Sequence, residues 1–423
     1  MSHLYKHLRR FAKGTLVTTF VFIASVAVTQ ACLLLRFLAA KRRGVPEGRP
    51  EHFEPPERRS MADSFERVEQ VPFQPVRPMA LGFVRGALSN SFLPFMNARR
   101  STTGRMYAYP GEFEDVVIES FDGTPIQAVV GIHPDGGPRP ALVISHGFMG
   151  SKNDHYVIDT ALTAYSEWGF NVLGVDLRNF GRSQCITHTP STAGWKEGED
   201  LLAAAKYLSE KPEVTTVGIT GFSMGAGSTM RAAFMAREYP YLTGGAIAWN
   251  GYSDARRMVE YISKRPPVGD RFMPVYLAFR LMHRLRRKDM IGYIEDPEIL
   301  DHLQGKFQDA NFMMYMEKVA APHYGVTVDE LYRNASPREF LADVEVPLLI
   351  VHSADDPICP PSEMDELMEI AEDNPNVHVW MLPAGNHCMF QYFDRNWYLT
   401  TMRDFFSYWA DWDEDDVPGD MAG

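Results

Sequence analysis

From residue 113 onward, short unbroken apolar runs alternate with amphipathic stretches of helical length. This alternation restricts the fold more than any other feature of the chain. The strand-like runs are Asp115–Ser120, Ile126–Ile132, Ala141–Ser145, Asn171–Asp176, Val217–Gly221, Gly244–Asn250, Pro347–His352 and Val377–Leu382. Helical patterns cover His155–Trp168, Glu197–Ser209, Met224–Arg237, Ser362–Asp373 and Asn396–Trp412. Strands apolar on both sides must be covered on both faces, which predicts an α/β fold with a mostly parallel sheet between two helix layers. Asp122-Gly123 joins the first two runs as a hairpin turn, so one edge is expected to be antiparallel. Between Asn250 and Pro347 the alternation stops for almost a hundred residues of helical character. A structureless loop of that length does not fit inside a compact domain, and a folded helical insertion is expected over about 253–340.

The chain has 423 residues, 45% of them apolar, which is enough for a large core. Its net charge of −12 is unevenly placed. Residues 1–59 carry 11 Lys/Arg against 4 Asp/Glu, a net of +7, and the remainder carries −19. An acidic body argues against nucleic acid as a partner. The basic beginning flanks Gly14–Leu35, 22 residues without a charge. As a helix that segment spans about 33 Å, enough to cross a bilayer. Residues 1–43 are read as an N-terminal membrane anchor retained after insertion, with the transmembrane helix over about 14–35. The rival readings are a cleaved signal peptide, whose apolar region is shorter, and a lipoprotein-type cleavage before Cys32.

Nine prolines fall in residues 44–112, which are read as a tether, with one apolar stretch at Met79–Met96. The main domain is expected over 113–412, with an acidic, solvated tail at 413–423. Cys185, Cys359 and Cys388 cannot all pair with one another, so no disulfide framework is expected. Cys359 and Cys388 flank two catalytic candidates in sequence and read as buried thiols. The chain shows no internal repeat, metal-ligand spacing or phosphate-type glycine loop, and no cofactor or metal is expected.

The chemistry centres on Gly221-Phe222-Ser223-Met224-Gly225, which matches G-x-S-x-G between a strand and a helix. A sharp turn there holds the serine in strained backbone geometry with its hydroxyl exposed. Such a hydroxyl is a poor nucleophile without an adjacent base. His387 is the preferred base, in a glycine-containing loop after the last strand; His133, His146 and His352 are read as structural. The base needs an orienting carboxylate. Asp355 is favoured over its neighbour Asp356, which the turn at Pro357 is expected to use as a cap; Asp254 is a weaker alternative. Acyl transfer also needs donors for an oxyanion. The backbone N–H groups of Met224 and Phe148, the latter in His146-Gly147-Phe148-Met149-Gly150, are the candidates.

These motifs, with the D-x-R-x-F-G-x-S string at Asp176–Ser183, resemble the α/β-hydrolase superfamily over about residues 113–410. Within it the chain is similar to the serine aminopeptidase and monoacylglycerol-lipase-like group and to membrane-anchored lipid-active hydrolases. The resemblance implies an eight-stranded sheet with a cap between the sixth and seventh strands. Asn179 stands where those relatives usually carry glycine. The cap holds Arg280, Arg284, Arg286, Arg287 and Lys288 among apolar residues, followed by Met313, Met314 and Met316. Two readings stand for it: a lid that meets anionic lipid headgroups, or an ordinary helix with a solvated basic face. The expected function is a membrane-anchored serine hydrolase of carboxylic esters, small-molecule or lipid, using Ser223, Asp355 and His387. A peptidase, amidase or thioesterase with the same three groups is the alternative, and a catalytically silent tethered binding protein the remote one.

Overall fold

A computed structural model describes residues 59–74, 109–263, 291, 293–304, 312–356 and 358–412. All eight expected strands form one sheet. They are β1 (Glu114–Glu119), β2 (Pro125–Gly131), β3 (Arg139–Ser145), β4 (Asn171–Val175), β5 (Val214–Phe222), β6 (Ala246–Trp249), β7 (Leu348–Ser353) and β8 (Val377–Leu382). Their order is β1-β2-β4-β3-β5-β6-β7-β8. β2 runs antiparallel to both β1 and β4, and every other pairing is parallel. The longer helices among the described residues are α1 (Met61–Glu69), α2 (His155–Ser166), α3 (Trp195–Ser209), α4 (Met224–Met235), α5 (Ala255–Ser263), α6 (Pro297–Gln304), α7 (Val328–Ala335), α8 (Glu363–Glu372) and α9 (Arg395–Ala410); shorter helical pieces include Phe312–Tyr315 and Ala321–His323.

Side chains of successive strand residues point to opposite faces, and the core divides accordingly. Ala141, Val143, Ala246, Ala248, Leu348 and Ile350 meet α3, α4, α8 and the segments inserted between β6 and β7. Leu142, Ile144, Ile247, Trp249, Leu349 and Val351 meet α1, α2 and α9. Helix α4 lies close on the sheet because its first turns are small. A Cβ on Gly225 would sit 2.4 Å from His146 O, and one on Gly227 2.4 Å from the Tyr252 hydroxyl.

The D-x-R-x-F-G-x-S string folds into a loop organised by buried charge. Asp176, fully buried, accepts from Lys152 N at 2.6 Å, Lys152 Nζ at 2.9 Å and Arg182 N at 2.9 Å. Arg178, also fully buried, donates to Asp200 and Asp122. Removing one partner of a buried pair leaves an uncompensated charge in a low-dielectric interior. Lys152→Met is therefore expected to destabilise the protein by about 3–5 kcal/mol, read from the shift of its urea unfolding curve. A shift under about 1 kcal/mol would show that the two backbone donors alone satisfy Asp176.

One expectation needs correction. Part of the stretch read as a tether is docked structure: α1 starts at Ser60, whose hydroxyl accepts from Asp63 N. The Phe65 ring stacks on His378 and meets Trp380 edge-on, while Trp409 Nε1 donates to Ser64 Oγ. Nine prolines averaged over 69 residues hide a proline-free run long enough for two helical turns. The expected anchor, the Met79–Met96 stretch, the basic cluster Arg280–Lys288 and the acidic tail lie outside the described residues. Among the described residues, no helix is long and apolar enough to cross a membrane.

Candidate active site

Ser223 sits at the turn from β5 into α4 with φ of 59° and ψ of −116°. This is backbone geometry that a non-glycine residue adopts only when its surroundings impose it. The surroundings are visible: Ser223 N donates to Trp249 O at 2.8 Å, and Gly221 and Gly225, two residues to either side, have no room for a side chain. A Cβ on Gly221 would lie 2.2 Å from Gly225 O. The strained turn lifts the hydroxyl off the end of the sheet towards the loop after β8.

That loop carries His387, whose Nε2 lies 2.9 Å from Ser223 Oγ. On the far side of the ring Nδ1 lies 2.9 Å from Asp356 Oδ2 and 3.1 Å from Oδ1. A carboxylate accepts only, so Nδ1 carries the proton and Nε2 faces the hydroxyl as an acceptor. The carboxylate partner is thus Asp356 and not Asp355, which corrects the reading from sequence. Asp355 Oδ1 accepts from Asn386 N at 2.8 Å and holds the loop that presents His387. Asp254 is elsewhere, paired with Arg338 at 2.9 Å and accepting from Arg257 N at the start of α5.

Asp356 is buried and held by more than the histidine. Its Oδ1 accepts from Ile358 N at 2.8 Å and Cys359 N at 3.0 Å, and its Oδ2 from Asn250 Nδ2 at 2.7 Å. Asn250, at the end of β6, also donates to Ser353 Oγ and Asn386 O and accepts from Cys388 N. It ties the loop of Asp356 to the loop of His387. Sequence reasoning missed it; the one available signal is a polar residue ending an otherwise apolar strand.

The loop after β3 closes the other side. A Cβ on Gly147 would lie 3.1 Å from Ser223 Cβ, so only the bare backbone of this loop fits against the serine. His146 braces it: Nδ1 lies 2.7 Å from Gly147 O, and Nε2 accepts from Leu177 N at 3.1 Å. His352 bonds Cys359 O and lies off the serine. Phe148 and Met224, the two residues expected to supply backbone donors, both line the cavity that opens onto Ser223.

This cavity measures about 570 Å³, part of it open to solvent. Its walls include Ile358 and, from the segment between β6 and β7, Met258, Val259, Ile262, Phe312, Tyr315 and Met316. Among the described residues, none that line it is charged. Cys359 also faces the cavity, and burial pushes its thiol and that of Cys388 well above the usual range, as inert core sulfurs require. Among the described residues, Asp356, Cys359 and His387 offer donor atoms within 4.8 Å of one another. The Asp356 oxygens and His387 Nδ1 are already engaged with each other, so the arrangement serves proton relay better than metal ligation.

The alpha/beta hydrolase family matches residues 142–395, the span from β3 to the start of α9. The chain belongs to this family. This alpha/beta hydrolase is 22% identical over 223 residues to a monoacylglycerol lipase from Saccharomyces cerevisiae, covering 52% of this chain and 48% of the lipase. It is 21% identical over 260 residues to the phospholipase ABHD3 of Mus musculus, covering 60% of this chain and 59% of the phospholipase. The chain thus spans about half to three-fifths of these relatives. A solved esterase structure from Pyrococcus furiosus superposes with a TM-score of 0.47 at 19% identity, covering 73% of this chain and 98% of that esterase.

Proposed function

We propose that this alpha/beta hydrolase is a serine hydrolase that cleaves carboxylic esters with apolar acyl groups through an acyl-enzyme. The observation that carries the reading is the hydrogen-bonded series Ser223–His387–Asp356 opening onto a cavity whose described lining is apolar and without charge. In the first step Ser223 Oγ attacks the ester carbonyl while His387 Nε2 takes its proton. Asp356 holds the ring in the required tautomer and stabilises the imidazolium. Backbone N–H groups of Phe148 and Met224 receive the negative charge on the carbonyl oxygen, the latter at the positive end of α4. His387 then protonates the departing alcohol. Water, deprotonated by the same nitrogen, attacks the acyl-enzyme and releases the acid.

The relatives named lipase and phospholipase favour a lipid ester as substrate. The uncharged segment Gly14–Leu35 supports a single N-terminal membrane helix, which would hold the enzyme beside such substrates. The purified full-length protein should hydrolyse p-nitrophenyl esters faster than the matching aminoacyl anilides or thioesters. A fluorophosphonate probe should modify Ser223, as located by peptide mass spectrometry. Faster turnover of the anilides would replace the esterase reading by a peptidase; no labelling of folded protein would end the enzyme reading altogether.

A further inference from the structure

Asn179 occupies a position whose backbone, at φ of 63°, suits glycine best. Glycine would satisfy that backbone without burying an amide. The asparagine is completely buried, and its Oδ1 has no hydrogen-bond partner among the described residues, a costly arrangement for a side chain with no task. Its Nδ2 donates to the Tyr315 hydroxyl at 3.0 Å. The same hydroxyl accepts from Ser191 N at 3.1 Å and lies 3.2 Å from the hydroxyl of Tyr293. Asn179 and Ser191 belong to the segment following β4; Tyr293 and Tyr315 belong to the insertion between β6 and β7. One phenol therefore ties the insertion to the body of the domain.

The location of Tyr315 gives the tie a consequence for the substrate. Its ring, with Phe312 and Met316 beside it, forms a wall of the cavity at Ser223. Immediately after it the helix widens into a π turn over Met316–Ala320, and Pro322 in the following turn brings no N–H to the ladder. A helix interrupted in this way owes its placement to side-chain contacts more than to its own hydrogen bonds. Phe312 meets Phe148 edge-on at 5.2 Å, and Phe148 in turn meets Phe180, the neighbour of Asn179, at 5.6 Å. Both aromatic contacts and the amide bond thus anchor the wall to two loops of the domain.

We propose that Asn179 is a positioning residue which, through the Tyr315 hydroxyl, fixes this wall and so sets the preference of Ser223 for esters of long apolar acyl chains over short ones. The inference rests on the ester-hydrolase reading for its kinetic consequence, and on the hydrogen bonds alone for its structural one. Asn179→Gly keeps the backbone conformation and removes only the amide. With p-nitrophenyl octanoate its KM should rise about fivefold to tenfold, while kcat/KM for p-nitrophenyl acetate, too short to reach the wall, stays as in the wild type. Tyr315→Phe should lose octanoate hydrolysis by at least as large a factor, since it also removes the bonds to Ser191 N and Tyr293, and the double variant should be no worse than Tyr315→Phe, in which the Asn179 bond is already gone. Amides of residues 312–323 should exchange with deuterium faster in Asn179→Gly than in the wild type.

Equal losses on acetate and octanoate, or unchanged exchange at 312–323, would overturn the proposal. If the wild type hydrolyses neither ester and Ser223 resists the fluorophosphonate, the ester-hydrolase reading has failed. The exchange measurement then still decides whether Asn179 holds the wall.

Discussion

Ser223→Ala is expected to lower kcat for p-nitrophenyl esters by roughly 10⁶-fold without changing the unfolding midpoint. In the proposed mechanism the hydroxyl oxygen bonds to the acyl group, so its loss removes the covalent route rather than weakening it. Stability should be spared because the side chain caps nothing at the start of α4, and alanine meets the same backbone geometry that serine already endures. His387→Ala should cost nearly as much, since serine without its base is left protonated. Adding it to Ser223→Ala should lower the rate little further, because the two groups act as one unit. Retention of more than about one per cent of activity by Ser223→Ala would place the nucleophile elsewhere.

The second large effect separates two adjacent carboxylates. Asp356→Asn should lower kcat by about 10⁴-fold, whereas Asp355→Asn should stay within about threefold of the wild type. At position 356 an amide must satisfy three donors already aimed at it, from Ile358, Cys359 and Asn250, as well as His387. Its own N–H groups cannot do so, and the imidazole is turned to the tautomer that points a proton at Ser223. At position 355 the carboxylate accepts from Asn386 N, which an asparagine carbonyl reproduces, and it does not touch the His387 ring nitrogen that Asp356 holds. Rate profiles of the two purified variants against the same ester decide the matter. A severe loss in Asp355→Asn with activity kept in Asp356→Asn would return the acid role to Asp355.

This pair also marks where the sequence stopped being readable. Capping the turn and orienting the histidine look like exclusive duties when each residue is assigned one role. Asp356 performs both, because its two oxygens accept from different directions: Oδ1 from the turn amides, Oδ2 from Asn250, and both from the imidazole. Adjacent residues in a turn differ in the direction of their side chains, which spacing does not encode. Helix α1 was hidden for another reason: its stability comes from Phe65, Ser64 and Ser60 meeting β8 and α9, more than three hundred residues away.

The sequence by itself determined what depends on local pattern. Apolar runs of strand length between amphipathic helices required a sheet covered on both faces, and every strand of β1–β8 was legible for that reason. G-x-S-x-G between β5 and α4 likewise placed Ser223, because Gly221 is demanded by the backbone of Gly225 only four residues on, while Gly225 answers to His146 O on the neighbouring strand's loop. Only the tertiary structure decided which carboxylate meets His387, how Asn250 locks their loops together, and that Asn179 reaches the insertion through Tyr315. Each of those facts is a direction in space between segments far apart in the chain. Periodicity records which face of an element is buried, but not which distant atom lies opposite it.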